Sequence, residues 1–198
     1  FTCRPGWPLF NIQQAVHRGD PAAWMLDLLE GRDTLHSSTD IALGVVVSIA
    51  DYPYSFLPET EVCGIPLYRL PSTRQTHLFQ VMRSEAPCMD GDDIVDRPCL
   101  VTCGNNVMTV EQLMPPANST AMTVTGMGDN VESAMRDAYS GIARLEMPSS
   151  PMYRTDIGGR LERELPRLHE LGFALGVDHR QTRLQRSVRT VQRVRAVA

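Results

Sequence analysis

The residues of this chain that bear on chemistry are few and scattered. Gly126-Met127-Gly128-Asp129 puts two glycines and an acid between a Thr/Val-rich segment and an amphipathic one. A glycine turn that opens a helix can offer backbone N–H groups to a phosphate. Here Asp129 sets a negative charge where the anion would sit, so the glycines read as turn chemistry. Arg154 and Asp156 stand two residues apart in Arg-Thr-Asp-Ile-Gly. That guanidinium can meet a phosphate or pair with Asp156. Asp20 before Pro21 is a helix N-cap signal. Asp90, Asp92, Asp93 and Asp96 cluster in Met-Asp-Gly-Asp-Asp-Ile-Val-Asp without the spacing or closing Glu of an EF-hand, and read as a solvated loop. Cys99 and Cys103 form one C-x-x-x-C with no second pair, a poor zinc signal. His17, His36, His77, His169 and His179 show no H-x-x-x-H spacing and read as surface or satisfied side chains.

Composition narrows the classes. The 198 residues are 42% hydrophobic, enough for one ordinary domain with a core. All 19 basic residues are arginine, which excludes a Schiff-base or P-loop lysine. No apolar run approaches a membrane span. Five cysteines without a C-x-x-C pair suit reduced thiols in the cytoplasm. Charge is uneven: residues 180–198 hold six arginines and no acid (+6), while the rest holds 13 arginines and 23 acids (−10), giving the net −4.

These residues need elements to carry them. Phe10–Val16 suits a short helix. Ala22–Leu29 suits a second, capped by Asp20 and ended by Gly31, with Trp24, Met25, Leu28 and Leu29 toward the core. Ile41–Ala50 is apolar throughout and predicts a strand buried on both faces. His77–Ser84 predicts another, and Cys99–Cys103 with Val107–Val110 a hairpin around Gly-Asn-Asn. Ala121–Thr125 predicts a strand. Asp129 and Glu132 suggest a capping box, and Val131, Met135, Ala138, Ile142 and Leu145 recur at helical spacing. Leu161, Leu165, Leu168 and Leu171 form a helical pattern in which Pro166 starts a new helix or kinks the old one.

The order of these words resembles the carboxy-terminal domain of the phosphoribosylamine glycine ligase (glycinamide ribonucleotide synthetase) family of ATP-grasp enzymes. The carriers are V-T-G-M-G-D at Val124–Asp129, A-M-R-D-A-Y at Ala134–Tyr139 and R-T-D-I-G at Arg154–Gly158. Weaker likenesses are Asp51-Tyr52-Pro53 for the family's G-Y-P, Gly64-Ile65-Pro66 for G-L-P, and V-T-C-G-N-N for V-T-x-G-G. The loop within Glu111–Thr120 and some 40 residues after Gly158 are departures from the family.

The resemblance implies an α+β fold: a small, mainly antiparallel sheet with flanking helices. Residues 1–40 would be the end of an ATP-grasp domain, 41–158 the ligase carboxy-terminal domain and 159–198 a helical, Arg-rich extension. It implies ATP-dependent joining of an amine to a carboxylate through an acyl phosphate, as in purine biosynthesis, with ATP and Mg²⁺ as cofactors. Family magnesium ligands come from E-F-N-x-R. Thr2 falls at the Asn position if Arg4 matches the Arg, or Asn11 does if Leu9 replaces the Glu, and neither placement keeps a metal pair. The resemblance thus places the nucleotide apparatus before Phe1. It leaves Arg4, Asp20, Arg154 and Asp156 as substrate- or phosphate-binding candidates, with no catalytic residue assigned. The alternatives are a divergent ATP-grasp ligase with other substrates, or a non-catalytic module that recruits a partner. Leu184, Val188 and Val191 let residues 180–198 read as a basic amphipathic helix, for a protein partner or self-association, or as a solvated tail. Nucleic acid is disfavoured, because no aromatic stacking platform lies among the arginines, and no membrane partner is expected.

Overall fold

The computed structural model describes residues 6, 8–38, 40–49, 52, 59–79, 81–90, 93–102, 120–148 and 151–176. They form an α+β fold with two small antiparallel sheets. The elements are α1 (Pro8–Val16), α2 (Pro21–Leu29), β1 (Ile41–Ser48), α3 (Glu59–Val62), β2 (Pro66–Leu67), β3 (Thr76–Leu78), β4 (Val81–Asp90), β5 (Asp93–Thr102), β6 (Thr120–Gly128), α4 (Val131–Ile142) and α5 (Gly159–Glu170). One sheet has the order β1-β6-β3 and the other β2-β5-β4. The chain divides into two compact units, one of Phe1–Gly44, Thr125–Ala138 and Asp156–Ala198, the other of Val45–Val124 and Tyr139–Thr155.

The second unit holds most of the core: Val45, Val47, Ile49, Ile65, Leu67, Ala121, Met122, Val124, Ile142, Leu145 and Met147 are buried. β6 is the central strand of its sheet and is buried from Thr120 through Gly126. Its partner β3 runs antiparallel, with Thr76, His77 and Leu78 opposite Val124, Thr123 and Met122. β1 alternates between buried Leu43, Val45 and Val47 and half-buried Ala42, Gly44 and Val46, so its continuous apolar run is not buried on both faces alike.

The predicted strand His77–Ser84 is in fact two strands in different sheets, β3 and β4. β4 then pairs with β5 in a hairpin, Asp90 opposite Asp93, so part of the acidic cluster lies in strands and not in a solvated loop. The cue in the sequence is Gly91-Asp92, the two residues between Asp90 and Asp93, a pair that suits a two-residue hairpin connection. Pro87 lies opposite Pro98, with register shifts on both sides of Pro87. A proline cannot donate to the ladder, so it sits where pairing is already irregular. Of the hairpin expected around Gly-Asn-Asn, Cys99–Thr102 falls in β5, while the turn, Val107–Val110, the Cys103 of C-x-x-x-C and the Pro-Pro-Ala-Asn-Ser part of the loop lie outside the described residues.

The first unit carries α1, α2 and α5, and buries Leu43, Val131, Ala134, Ala138 and Leu165. Asp20 caps α2 as expected: its Oδ1 accepts from Ala22 N–H at 2.8 Å, with Pro21 in the first turn. The core assignment for α2 is corrected, because none of its residues is buried. Of the leucine pattern in α5 only Leu165 is buried, and the helix runs through Pro166 without restarting there.

Two carboxylates fasten the segment after α2. Asp27 accepts from Thr34 Oγ1 at 2.8 Å and pairs with Arg32. Asp33 accepts from Trp24 Nε1 at 3.0 Å and Leu35 N–H at 3.1 Å. The Thr34 and Arg32 donors hold the Asp27 carboxyl below its ordinary 3.8, and the Trp24 and Leu35 donors do the same for Asp33. Both folded values are depressed, so this stabilisation is complete above 3.8 and is lost as pH falls through the folded values. Acid titration of Trp24 fluorescence in a Trp7→Phe background is expected to show a transition below 3.8 that Asp33→Asn removes. A transition unchanged by Asp33→Asn would refute the assignment.

Candidate functional site

The glycine turn after β6 is shaped by close packing. A Cβ on Gly126 would lie 2.3 Å from the Ala134 carbonyl oxygen and 2.5 Å from the Ala138 nitrogen. On Gly128 it would lie 2.2 Å from Ser133 Oγ and 2.5 Å from the Ala134 nitrogen. Each glycine therefore admits the backbone of α4 against the end of β6. The capping box is also displaced by one residue from the expected Asp129/Glu132. Asn130 Oδ1 accepts from Ser133 N–H at 2.8 Å, and Asn130 N–H donates to Ser133 Oγ at 3.2 Å. Asn130 is a favoured N-cap, and Ser133 answers it from three residues on. Glu132 instead pairs with Arg136 on the exposed face of α4.

Three N–H groups of the turn and of the start of α4 are already engaged. Met127 N–H donates to Asp137 Oδ2 at 3.0 Å, and Asn130 and Ser133 satisfy each other. Asp129 Oδ1 accepts from Ser133 Oγ at 2.8 Å and Asn130 Nδ2 at 3.1 Å, which keeps the carboxylate at the turn. The turn is thus a strand-to-helix joint, with Asp129 held beside the cap of α4.

The Arg154–Gly158 word is anchored within each unit to a different part of α4. In one unit, Tyr139 Oη donates to the Arg154 carbonyl at 2.8 Å, and the Tyr139 and Tyr153 rings lie 6.3 Å apart. Upstream of Arg154 the chain bridges to β1: Ser48 N–H donates to the Met152 carbonyl at 2.9 Å and Met152 N–H to the Ser48 carbonyl at 2.7 Å. In the other unit, Gly158 has φ +94, and a Cβ there would lie 3.0 Å from Met135 Cγ and 3.2 Å from Val131 Cγ1. Glycine suits this position twice over, by conformation and by space. Both Arg154 and Asp156 are exposed residues. The Asp156 carbonyl accepts from Gly159 N–H at 3.2 Å where the chain enters α5.

No family model matches this chain, and no curated protein matches it.

The remaining candidates separate. Thr2 and Arg4 lie outside the described residues. The Asp20 carboxylate serves α2 as its cap. Asn11 sits in α1 with a buried Oδ1 that has no hydrogen-bond partner. Among the described residues no three His, Cys, Asp or Glu side chains gather as a metal would need. Among the described residues, too, no helix is long and apolar enough to cross a membrane.

Two histidines differ from their reading in sequence. Both ring nitrogens of His17 are buried without a hydrogen-bond partner, its ring 5.8 Å from that of Trp24. It is not the satisfied histidine the spacing suggested. His77 sits opposite Thr123, and burial lowers its imidazole below the ordinary 6.5, so the ring favours its neutral form. Protonation of the buried ring opposes folding, so stability falls away as pH drops below 6.5 and through the lowered value. Neither residue carried a spacing signal, because each is placed by partners distant in sequence or by the chain reversal that brings α2 back toward α1.

Proposed function

We propose that this chain is the carboxy-terminal part of an ATP-dependent carboxylate–amine ligase of the phosphoribosylamine glycine ligase type. The observation that carries the reading is the ordered set V-T-G-M-G-D, A-M-R-D-A-Y and R-T-D-I-G in an α+β fold. The word residues support it by being packing partners within their units. Gly126 lies against Ala134 and Ala138, Tyr139 bonds to the Arg154 carbonyl, and Gly158 lies against Val131 and Met135. Within each unit, the spacing of the words is what their packing against α4 requires.

In this reading ATP phosphorylates the carboxylate and the amine attacks the acyl phosphate. Such catalysis rests on positioning and on cations that neutralise phosphate charge. Arg154, with a guanidinium on an exposed residue and a fastened backbone, is the candidate for a sugar-phosphate contact. Asp156 orders the turn into α5. Asp20 shapes the start of α2, and Arg4 is a candidate phosphate contact. ATP and Mg²⁺ belong to the intact enzyme and are held mainly by residues upstream of those here.

The 198-residue chain alone is therefore expected neither to bind ATP tightly nor to hydrolyse it, as measured by calorimetry and phosphate release. ATP turnover by the purified chain would refute this placement of the nucleotide site. The ligase reading itself is tested on the full product of the gene, assayed for phosphate release that depends jointly on an amine and a carboxylate. Activity with glycine and phosphoribosylamine supports the named type. Activity with other pairs supports a divergent ligase, and none across a broad panel supports a non-catalytic module.

A further inference from the structure

Tyr139 makes a bond that burial does not require of it. It stands half-buried on α4, and its Oη donates to the Arg154 carbonyl at 2.8 Å. That bond lies at the surface, where water would serve the hydroxyl as well, so it contributes little to folding. What it restricts is the backbone of Arg154. Just upstream, Met152 N–H donates to the Ser48 carbonyl at 2.7 Å and Ser48 N–H to the Met152 carbonyl at 2.9 Å. Tyr153, between the two ties, has its ring 6.3 Å from that of Tyr139. Residues 152–154 are thus tied to the end of β1 by their first member and to α4 by their last, all within one compact unit.

The residue so held is the exposed arginine of this span. A guanidinium recognises a phosphomonoester through a planar fork of donors, and the match depends on where its stem starts. An arginine whose backbone is already fixed loses less freedom on taking up the anion, so the tether acts as preorganisation. Phenylalanine at position 139 would keep the ring contact with Tyr153 and lose the tether, which separates positioning from packing.

Resting on the ligase reading above for the substrate, we infer that Tyr139 is the positioning residue of Arg154, its hydroxyl fixing the arginine that receives the phosphomonoester of a phosphorylated amine. In the full product of the gene, Tyr139→Phe is expected to raise KM for the phosphorylated amine about 3- to 10-fold, the size of one neutral hydrogen bond. The melting temperature, kcat and the KM values for carboxylate and ATP are expected to stay as in the parent. Arg154→Ala is expected to raise the same KM, and Tyr139→Phe to add nothing in that background. Phenylglyoxal gives a readout without turnover: ribose 5-phosphate should shield Arg154 from it on peptide mapping, and should need about 3- to 10-fold higher concentration in Tyr139→Phe. Such shielding in a protein without ligase activity sinks the ligase reading and sustains the role of Tyr139. Ligase activity with KM unmoved by Tyr139→Phe overturns the role and sustains the ligase. The role is overturned too by losses that fall alike on all three substrates, by additive effects of the two substitutions, by activity confined to amines without a phosphomonoester, or by an Arg154 that ribose 5-phosphate leaves unshielded.

Discussion

Gly126→Ala is expected to lower the unfolding free energy by about 3 kcal/mol or more, the upper end of overpacking costs. The new methyl would lie 2.3 Å from the Ala134 carbonyl oxygen and 2.5 Å from the Ala138 nitrogen. Both are helix backbone atoms, so no rotamer change relieves the clash, and α4 must withdraw from β6. Ala134 and Ala138, fully buried there, would lose their packing as it does. Gly128→Ala meets Ser133 Oγ at 2.2 Å, an atom that can rotate, but also the Ala134 nitrogen at 2.5 Å, so it too destabilises. Gly159→Ala is the control: nothing lies within 4 Å of its Cβ, and it sits in the first turn of α5. There alanine restricts the unfolded chain and favours the helix, and should stabilise by about 0.5–1 kcal/mol. Urea denaturation of the three variants measures the contrast. A Gly126→Ala protein as stable as the parent would show that β6 and α4 are not in this contact.

Met122→Ala, in the middle of β6, is expected to cost about 2–5 kcal/mol by the same measurement. Met122 is fully buried in the central strand of its sheet. Truncation there removes its transfer free energy and leaves a cavity that a hydrogen-bonded strand cannot close. The neighbouring residue should respond in the opposite direction. Thr123 is also fully buried, and its Oγ1 has no hydrogen-bond partner. Thr123→Val keeps the shape and removes an unsatisfied hydroxyl, for an expected gain of about 1 kcal/mol. A clear loss in Thr123→Val would mean that the hydroxyl is bonded, and that β6 is not as dry as its burial implies.

The two substitutions show how far local pattern carries. Thr/Val alternation and the glycines located β6 and its end without knowledge of a partner, because strand preference and turn chemistry are local. Val131, Ala138 and Ile142, read from helical spacing, are buried in α4, Met135 there is half-buried, and Leu145 is buried just past the helix end. The same rule failed at α2, whose Met25, Leu28 and Leu29 are exposed. Periodicity identifies an apolar face, but what covers that face is a tertiary fact. It failed again at residues 77–84, where an extended run changes sheets, since β pairing joins segments far apart in sequence.

The candidate site divides in the same way. Arg154 and Asp156 could be singled out from residue type, and Asp20 from its place before a proline. That the Arg154 carbonyl receives Tyr139, or that Asp33 receives the indole of Trp24, depends on chain reversals with no signature in spacing. The sequence by itself located α1, α2, β1, β6 and α4, the cap at Asp20 and the glycine turn at 126–128. Those follow from backbone sterics and short-range hydrogen bonding. Only the tertiary structure decided that β1, β6 and β3 share a sheet, that Asn130 and Ser133 replace Asp129 and Glu132 as the cap of α4, and which apolar faces stay in water. Each of those is a competition among alternative partners, and it is resolved only when the whole chain has packed.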